Sequence, residues 1–223
     1  MKHPYNGILK TLEEVQGQLL QICVYQDLLD KYGAVLIMDE DPDGWLIKLS
    51  GLARFVHKKN LMLPLIINRR FIKYSLDSYP LEFINIVSST RENILLKEDM
   101  LANLQFDKAD VRLQMERELK SKWLLTRQII LESNMKTRQL RESLNLSIAS
   151  LVPCLKGFFF LAGQPYPKTL ADLFEHAALI TKTDIKVMHG WMQEKNIELA
   201  DVERYLSLLS RLMELMETYP VEQ

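Results

Sequence analysis

The sequence predicts an α+β chain, with a small α/β part over residues 1–106 followed by an all-helical part over 107–223. Three observations point there. Short continuous apolar runs, "AVLIM" at 34–38 and "LMLPLIIN" at 61–68, lie among segments of helical spacing and are bounded by turn residues. Beyond Phe106 no alternation survives, only helical spacing. The break "GQPYPK" at 163–168 and Pro220 punctuate that second half.

Residues 7–31 read as a helix. Ile8, Leu12, Val15, Leu19 and Ile22 step by four and three, Leu20 and Val24 widen the stripe, and Gly33 follows as a C′ residue. "AVLIM" reads as a strand buried on both faces. "DEDPDG" (39–44) is a turn, with Asp43 expected to cap a helix over 45–59. The run 61–68 reads as a strand that Pro64 assigns to an edge or a strand start. A short helix or turn, "RRFIKYSLDS", follows. "DSYPLEFINI" (77–86) then reads as a strand carrying Glu82 and Asn85, and 93–99 as a further strand or extended arm. In the second half, helices are expected over 107–133, 136–162, from Thr169, after Asp184, and over 198–218.

With 223 residues, 48% apolar and 26% charged, the composition is that of an ordinary globular chain. A net charge of −1 supplies no global attraction to nucleic acid or anionic lipid. Cys23 and Cys154 permit at most one bridge and exclude a cysteine zinc site. No signal-peptide pattern is found, and "IASLVPCLKGFFFLAG" (148–163) is short for a membrane span and reads as a buried helix. The expectation is a cytoplasmic chain without membrane partners.

The order of elements, with the wording "SLDSYPLEFINI…ILLKEDMLANLQFDKADVRLQMERELKSKWLLTRQIILES", resembles an uncharacterised group of bacterial nucleotidyltransferase-fold proteins. These join that fold to a helical bundle of the HEPN or substrate-binding type. The resemblance covers about residues 34–218. It implies a reduced nucleotidyltransferase-like α/β domain over 1–106 and a HEPN-like bundle over 107–223. Active members need a Gly-Ser pair opening a helix, then two carboxylates one residue apart on a strand, so that both hold Mg²⁺. Here no Gly-Ser occurs near the N-terminus and "YGAVLIM" carries no acid. The resemblance places an Asp where this chain has Asn85. It therefore implies a degenerate active site: no catalytic residue, no cofactor, and a binding or regulatory role with a retained cleft for a nucleotide or other phosphate-bearing ligand. The alternative is a divergent Mg-dependent transferase using Asp39, Asp41 and Glu82.

Arg69 and Arg70 directly follow a strand, where ligand sites of α/β proteins gather, and with Asn85 they are the candidate ligand contacts. "DEDPDGWLIKLS" begins like a calcium loop, with Asp39, Asp41, Asp43 and Gly44 in place, but Ser50 stands where a bidentate Glu is required. None of His3, His57, His176 and His189 has the Arg four to six residues upstream that HEPN ribonucleases use. Residues 107–141 carry nine basic residues against five acids, which reads first as a solvated helix with pairs such as Glu116–Lys120 and Glu118–Lys122, since no interleaved aromatic platform accompanies the charge; RNA binding is the alternative. The heptad-like positions Ile8, Leu12, Val15, Leu19, Ile22 and Leu29 (with polar Gln26 among them) read first as a stripe packed on the chain's own sheet; the alternative is a homodimer, through that seam or through the last helix with Met213 and Met216.

Overall fold

The computed structural model describes residues 3–132, 134, 136–194 and 196–220. The class is mixed α+β, with a four-stranded sheet and a larger helical share. The chain divides into two compact units: Met1–Asp77 with Asn85–Gln105, and Ser78–Ile84 with Phe106–Gln223.

In the first unit, two 3₁₀ turns, Ile8–Thr11 and Glu13–Val15, precede strand β1 (Leu19–Gln26). A five-residue loop leads to β2 (Tyr32–Met38). The Asp27 carboxylate organises that loop by accepting from the amides of Leu29 and Lys31 at 2.9 and 2.8 Å, and Asp30 takes the left-handed conformation. Then come α1 (Trp45–Lys48), α2 (Ser50–Lys58), β3 (Leu65–Asn68), α3 (Arg69–Ser75), α4 (Pro80–Ser89) and β4 (Thr90–Leu96). The strand order is β3-β2-β1-β4. β2 and β3 are parallel, while β1 pairs antiparallel with β2 and β4. Pro64 directly precedes β3, an edge strand where its missing N–H costs no ladder bond.

Several readings need correction. The 7–31 helix does not exist. Ile8, Leu12, Val15, Leu19 and Ile22 are all buried in one core with Leu36, Met38 and Leu52, but Ile8 and Val15 sit on 3₁₀ turns, Leu12 lies between those turns, and the last two are on β1. The spacing recorded burial, not helicity, and the proposed N-terminal coiled-coil seam is core. Gly33 is no helix cap. It faces Tyr25 across the ladder, and a Cβ there would collide with the tyrosine ring. Conversely, "PLEFINI" is helix, not strand. Pro80 stands at the first helical position, where its missing N–H is no loss. Asp43 caps nothing; Gly44, at φ 66°, precedes α1 without a side-chain cap.

The helical unit comprises α5 (Lys108–Glu132), α6 (Thr137–Leu161), α7 (Leu170–Thr181), α8 (Val187–Gln193) and α9 (Leu199–Thr218), with α5 packed on α6 and α9. Thr169 caps α7 by accepting from Asp172 N at 3.1 Å. Asp184 does not cap the next helix; it accepts from Arg204 at 2.9 Å. A short polar chain crosses the packed helices: Ser147 Oγ lies 3.0 Å from Thr126 Oγ1 and 2.7 Å from Tyr205 Oη. Burial, the larger effect, and this bond act oppositely on the Tyr205 hydroxyl, and its pKa rises. Met216 is buried, so it adds nothing to a surface on α9. Among the described residues, one helix, α6, is long and apolar enough to cross a membrane.

Ser78–Ile84 belongs with the helices because Gln114 binds it. The Gln114 Oε1 accepts from Leu81 N at 2.8 Å, and its Nε2 donates to Glu82 Oε2 at 2.7 Å. Gly157 on α6 makes the approach of Leu81 and Met115 geometrically allowed: a Cβ there would lie 2.5 Å from Met115 Sδ and 2.9 Å from Leu81 Cδ2. Gly157→Ala is therefore expected to destabilise the chain by about 1–3 kcal/mol through overpacking, against the helix propensity that alanine gains. Urea denaturation followed by far-UV circular dichroism measures this; a midpoint at or above the parent's would mean that the contact relaxes freely.

Candidate functional site

The parallel pair β2–β3 ends at Met38 and Asn68, and the chain turns outward there into the acidic loop and into α3. Between them lies a surface cleft of about 610 Å³ lined by Asp39, Glu40, Asp41, Asn68, Arg69, Arg70, Lys73 and Tyr74. Its size is within the range of small-molecule sites, and it lies outside the carboxyl ends of parallel strands.

Local folding explains who points where. Asn68 caps α3, its Oδ1 accepting from Phe71 N at 2.8 Å, while its Nδ2 donates to Asp41 Oδ2 at 3.0 Å. One residue thus starts the helix and orients an acid of the loop. Arg69 Nε donates to Asp39 Oδ1 at 2.7 Å, and its two terminal nitrogens donate to Glu98 at 2.7 and 2.6 Å. The fork pairing to Glu98, then the bond to Asp39, holds the guanidinium proton far more tightly than usual. The same pairing pulls the Glu98 carboxyl below the ordinary carboxylate range.

Glu98 is set in place from the sheet. Lys97 N and Glu98 N both donate to Leu20 O. Gln21, 1% exposed, holds the following turn: its Oε1 accepts from Met100 N, and its Nε2 donates to Asn93 and Asp99.

The candidates from the sequence separate accordingly. Asp39, Asp41, Arg69 and Arg70 share the cleft. Arg69 has each of its three guanidinium nitrogens bonded to the protein's own carboxylates and serves as a clamp, not as an open anion contact. Glu82 belongs to the other unit and accepts from Gln114. Asn85 lies on α4, where its carbonyl accepts from Ser88 Oγ, and it does not line the cleft. The calcium-loop acids are likewise diverted, Asp39 to Arg69 and Asp41 to Asn68. Among the described residues no three His, Cys, Asp or Glu side chains are grouped to hold a metal ion.

Lys73 and Tyr74 were missed by the sequence reading, although "RRFIKY" sets Arg70, Lys73 and Tyr74 at i, i+3 and i+4 on one helical face. Lys73 Nζ lies 5.4 Å from the Tyr74 ring centroid, and that ring is 65% exposed. Arg70 is exposed and, like Lys73, has no carboxylate partner among the described residues. The arrangement can grip an anion with Arg70 and Lys73 and cover a flat group with Tyr74.

The basic run of 107–141 is partly occupied. Lys120 pairs with Glu116 and Lys122 with Glu118, Arg138 pairs with Glu142, and Arg112 donates to Met216 O. Comparison with family models, curated proteins and solved structures returns no match.

The clamp has a pH signature. Glu98 has a lowered folded pKa, so its contribution to stability is complete above its unfolded value, about 4.3, and is lost as pH falls through the folded one. Arg69→Gln is expected to lower the urea midpoint at pH 7, with the deficit shrinking toward pH 3 and in high salt. A deficit unchanged at pH 3 would assign the effect to packing instead of charge.

Proposed function

We infer that this chain is a binding or regulatory protein built on a reduced nucleotidyltransferase-like scaffold joined to a helical bundle, and that its ligand is a nucleotide or another phosphate-bearing molecule held at the β2–β3 strand ends. The observation that carries this reading is the division of charge within the cleft. Asp39 is paired with the Arg69 cation and Asp41 accepts from the Asn68 amide, whereas Arg70 and Lys73 have no internal acid partner; Glu40, also in the lining, is the acid they face without a cation of its own among the described residues. Two cations beside an exposed tyrosine ring suit a phosphate attached to a planar base. The resemblance of residues 34–218 to nucleotidyltransferase-fold proteins, together with the absent Gly-Ser pair and paired strand acids, supports binding without transfer.

A second reading, a divergent Mg-dependent transferase, draws on one observation: Asp39 and Asp41 do line the same cleft. To hold a metal, both would have to leave Arg69 and Asn68, while Glu82 accepts from Gln114 within the other unit.

Calorimetric titration with ATP, ADP and pyrophosphate tests the first reading. Arg70→Ala and Lys73→Ala are each expected to weaken binding about tenfold, near 1.4 kcal/mol. Saturable binding insensitive to both substitutions would move the site elsewhere, and no binding of any of the three at millimolar concentration would reject the ligand class. Labelled NTPs with Mg²⁺ or Mn²⁺ should give no transfer; robust transfer abolished by Asp41→Asn would establish the second reading.

A further inference from the structure

We propose that the solvent face of α5 is a docking seam for an acid-bearing amphipathic helix of another protein. Leu113, Arg117, Lys120, Leu124, Arg127 and Leu131 step along α5 by four, three, four, three and four residues. They form one straight stripe of about 27 Å at 1.5 Å per residue. All six are exposed, and the three leucines are 47%, 56% and 70% accessible. The helix already has a core face, with Val111, Met115, Leu119 and Ile130 buried. The stripe is therefore a second seam, where a helix facing only water would carry polar residues.

The interleaving of charge and leucine selects the occupant. A helix that lies on lipid keeps its cations off its apolar face, whereas here Arg117, Lys120 and Arg127 interrupt the leucines on one line. A nucleic acid backbone gains nothing from three exposed leucines. A second helix can meet such a line in register, with apolar side chains on the leucines and carboxylates on the free cations.

The charges then set the partner's sign. The stripe holds three cations and no carboxylate of its own, and because Lys120 is already paired with Glu116 and Glu217, Arg117 and Arg127 carry the free charge. Arg117 has no acid partner among the described residues. Arg127 lies 4.3 Å from the Trp123 ring centroid, which supports its flat face and leaves its N–H edge for a carboxylate.

A second copy of this chain does not fit. Antiparallel pairing about the midpoint sets Arg117 against Arg127, and parallel pairing sets each cation beside its own copy. The complementary surface is a helix whose seam alternates apolar side chains with Glu or Asp.

The test uses the full chain and a designed, fluorescein-labelled helical peptide of roughly 20 residues. Its seam alternates Leu and Glu, and a control peptide carries Lys for every Glu. Anisotropy titrations are expected to show the Glu peptide binding at least about tenfold more tightly than the Lys peptide, with the contrast falling as salt rises. Leu124→Asp should weaken the Glu peptide by about tenfold or more. The Arg117→Glu, Arg127→Glu double substitution should reverse the preference toward the Lys peptide, a gain that misfolding cannot produce. The proposal is overturned by equal affinity for the two peptides, by undiminished binding to the Leu124→Asp chain, or by failure of the double substitution to reverse the preference. It is equally overturned by tighter binding to phosphatidylserine vesicles or poly(A) than to the Glu peptide, or by a homodimer in sedimentation that Leu124→Asp dissolves.

Discussion

Gln21 lies in the central strand with its amide out of solvent, and its three hydrogen bonds all run to residues near the end of β4 or just beyond it. Those bonds fix the turn after the strand. From that turn Glu98 reaches Arg69, and Arg69 in turn reaches Asp39. The wall of the cleft is thus positioned by a relay that starts inside the sheet. A buried amide without partners costs about 1–3 kcal/mol, so the turn has one energetically acceptable position relative to β1. Asn68 does the same on the other side, with one amide both capping α3 and holding Asp41. Gln21 and Glu98, where the relay begins, are not among the residues that line the cleft.

The helices of the second half were legible because their apolar stripes are long. Over 25 residues a 3.6 period is unmistakable, and α5 and α6 lie within a residue or two of where spacing places them. The strands β2 and β4 and the edge position of β3 were also legible, from a continuous apolar run and from Pro64. The errors fall where period and burial part company. Ile8 to Ile22 repeat at helical intervals, yet "LLQICVYQ" is mostly apolar with β-branched Ile22 and Val24, and Gly7 and Gly17 flank the 3₁₀ turns. "PLEFINI" alternates for three positions only, and a helix buried on most sides gives the same pattern. Arg69 and Arg70 were picked out from a strand end, and Asp39 and Asp41 from the acidic turn at 39–44. Gln21 and Glu98 could not be, because their role depends on strand pairing across more than seventy residues.

Charges counted along the chain do not show which of them are already paired. The acids at 39–43 look like a cation loop in one dimension, but two of them face cationic or amide donors from β3 and α3. The lysines of α5 look like a polyanion track, but their own helix supplies Glu116 and Glu118 one turn away. What distinguishes the cleft and the α5 stripe from this background is the residue left without an internal partner. That property appears only when every pair has been assigned in three dimensions.

The strand order β3-β2-β1-β4 imposes a schedule on chain synthesis. Cys23 pairs with Asn93 and Gln21 with Leu96, so β1 leaves the ribosome some seventy residues before its second neighbour exists. During that interval β1 can hydrogen-bond to β2 on one side only, and its other edge is an apolar strand with open N–H and C=O groups. Closing that gap carries the entropy of a long loop, which slows the step. A nascent or truncated chain ending before β4 therefore exposes an adhesive edge, and it is the arrival of residues 90–96 that protects the sheet from pairing with a stranger.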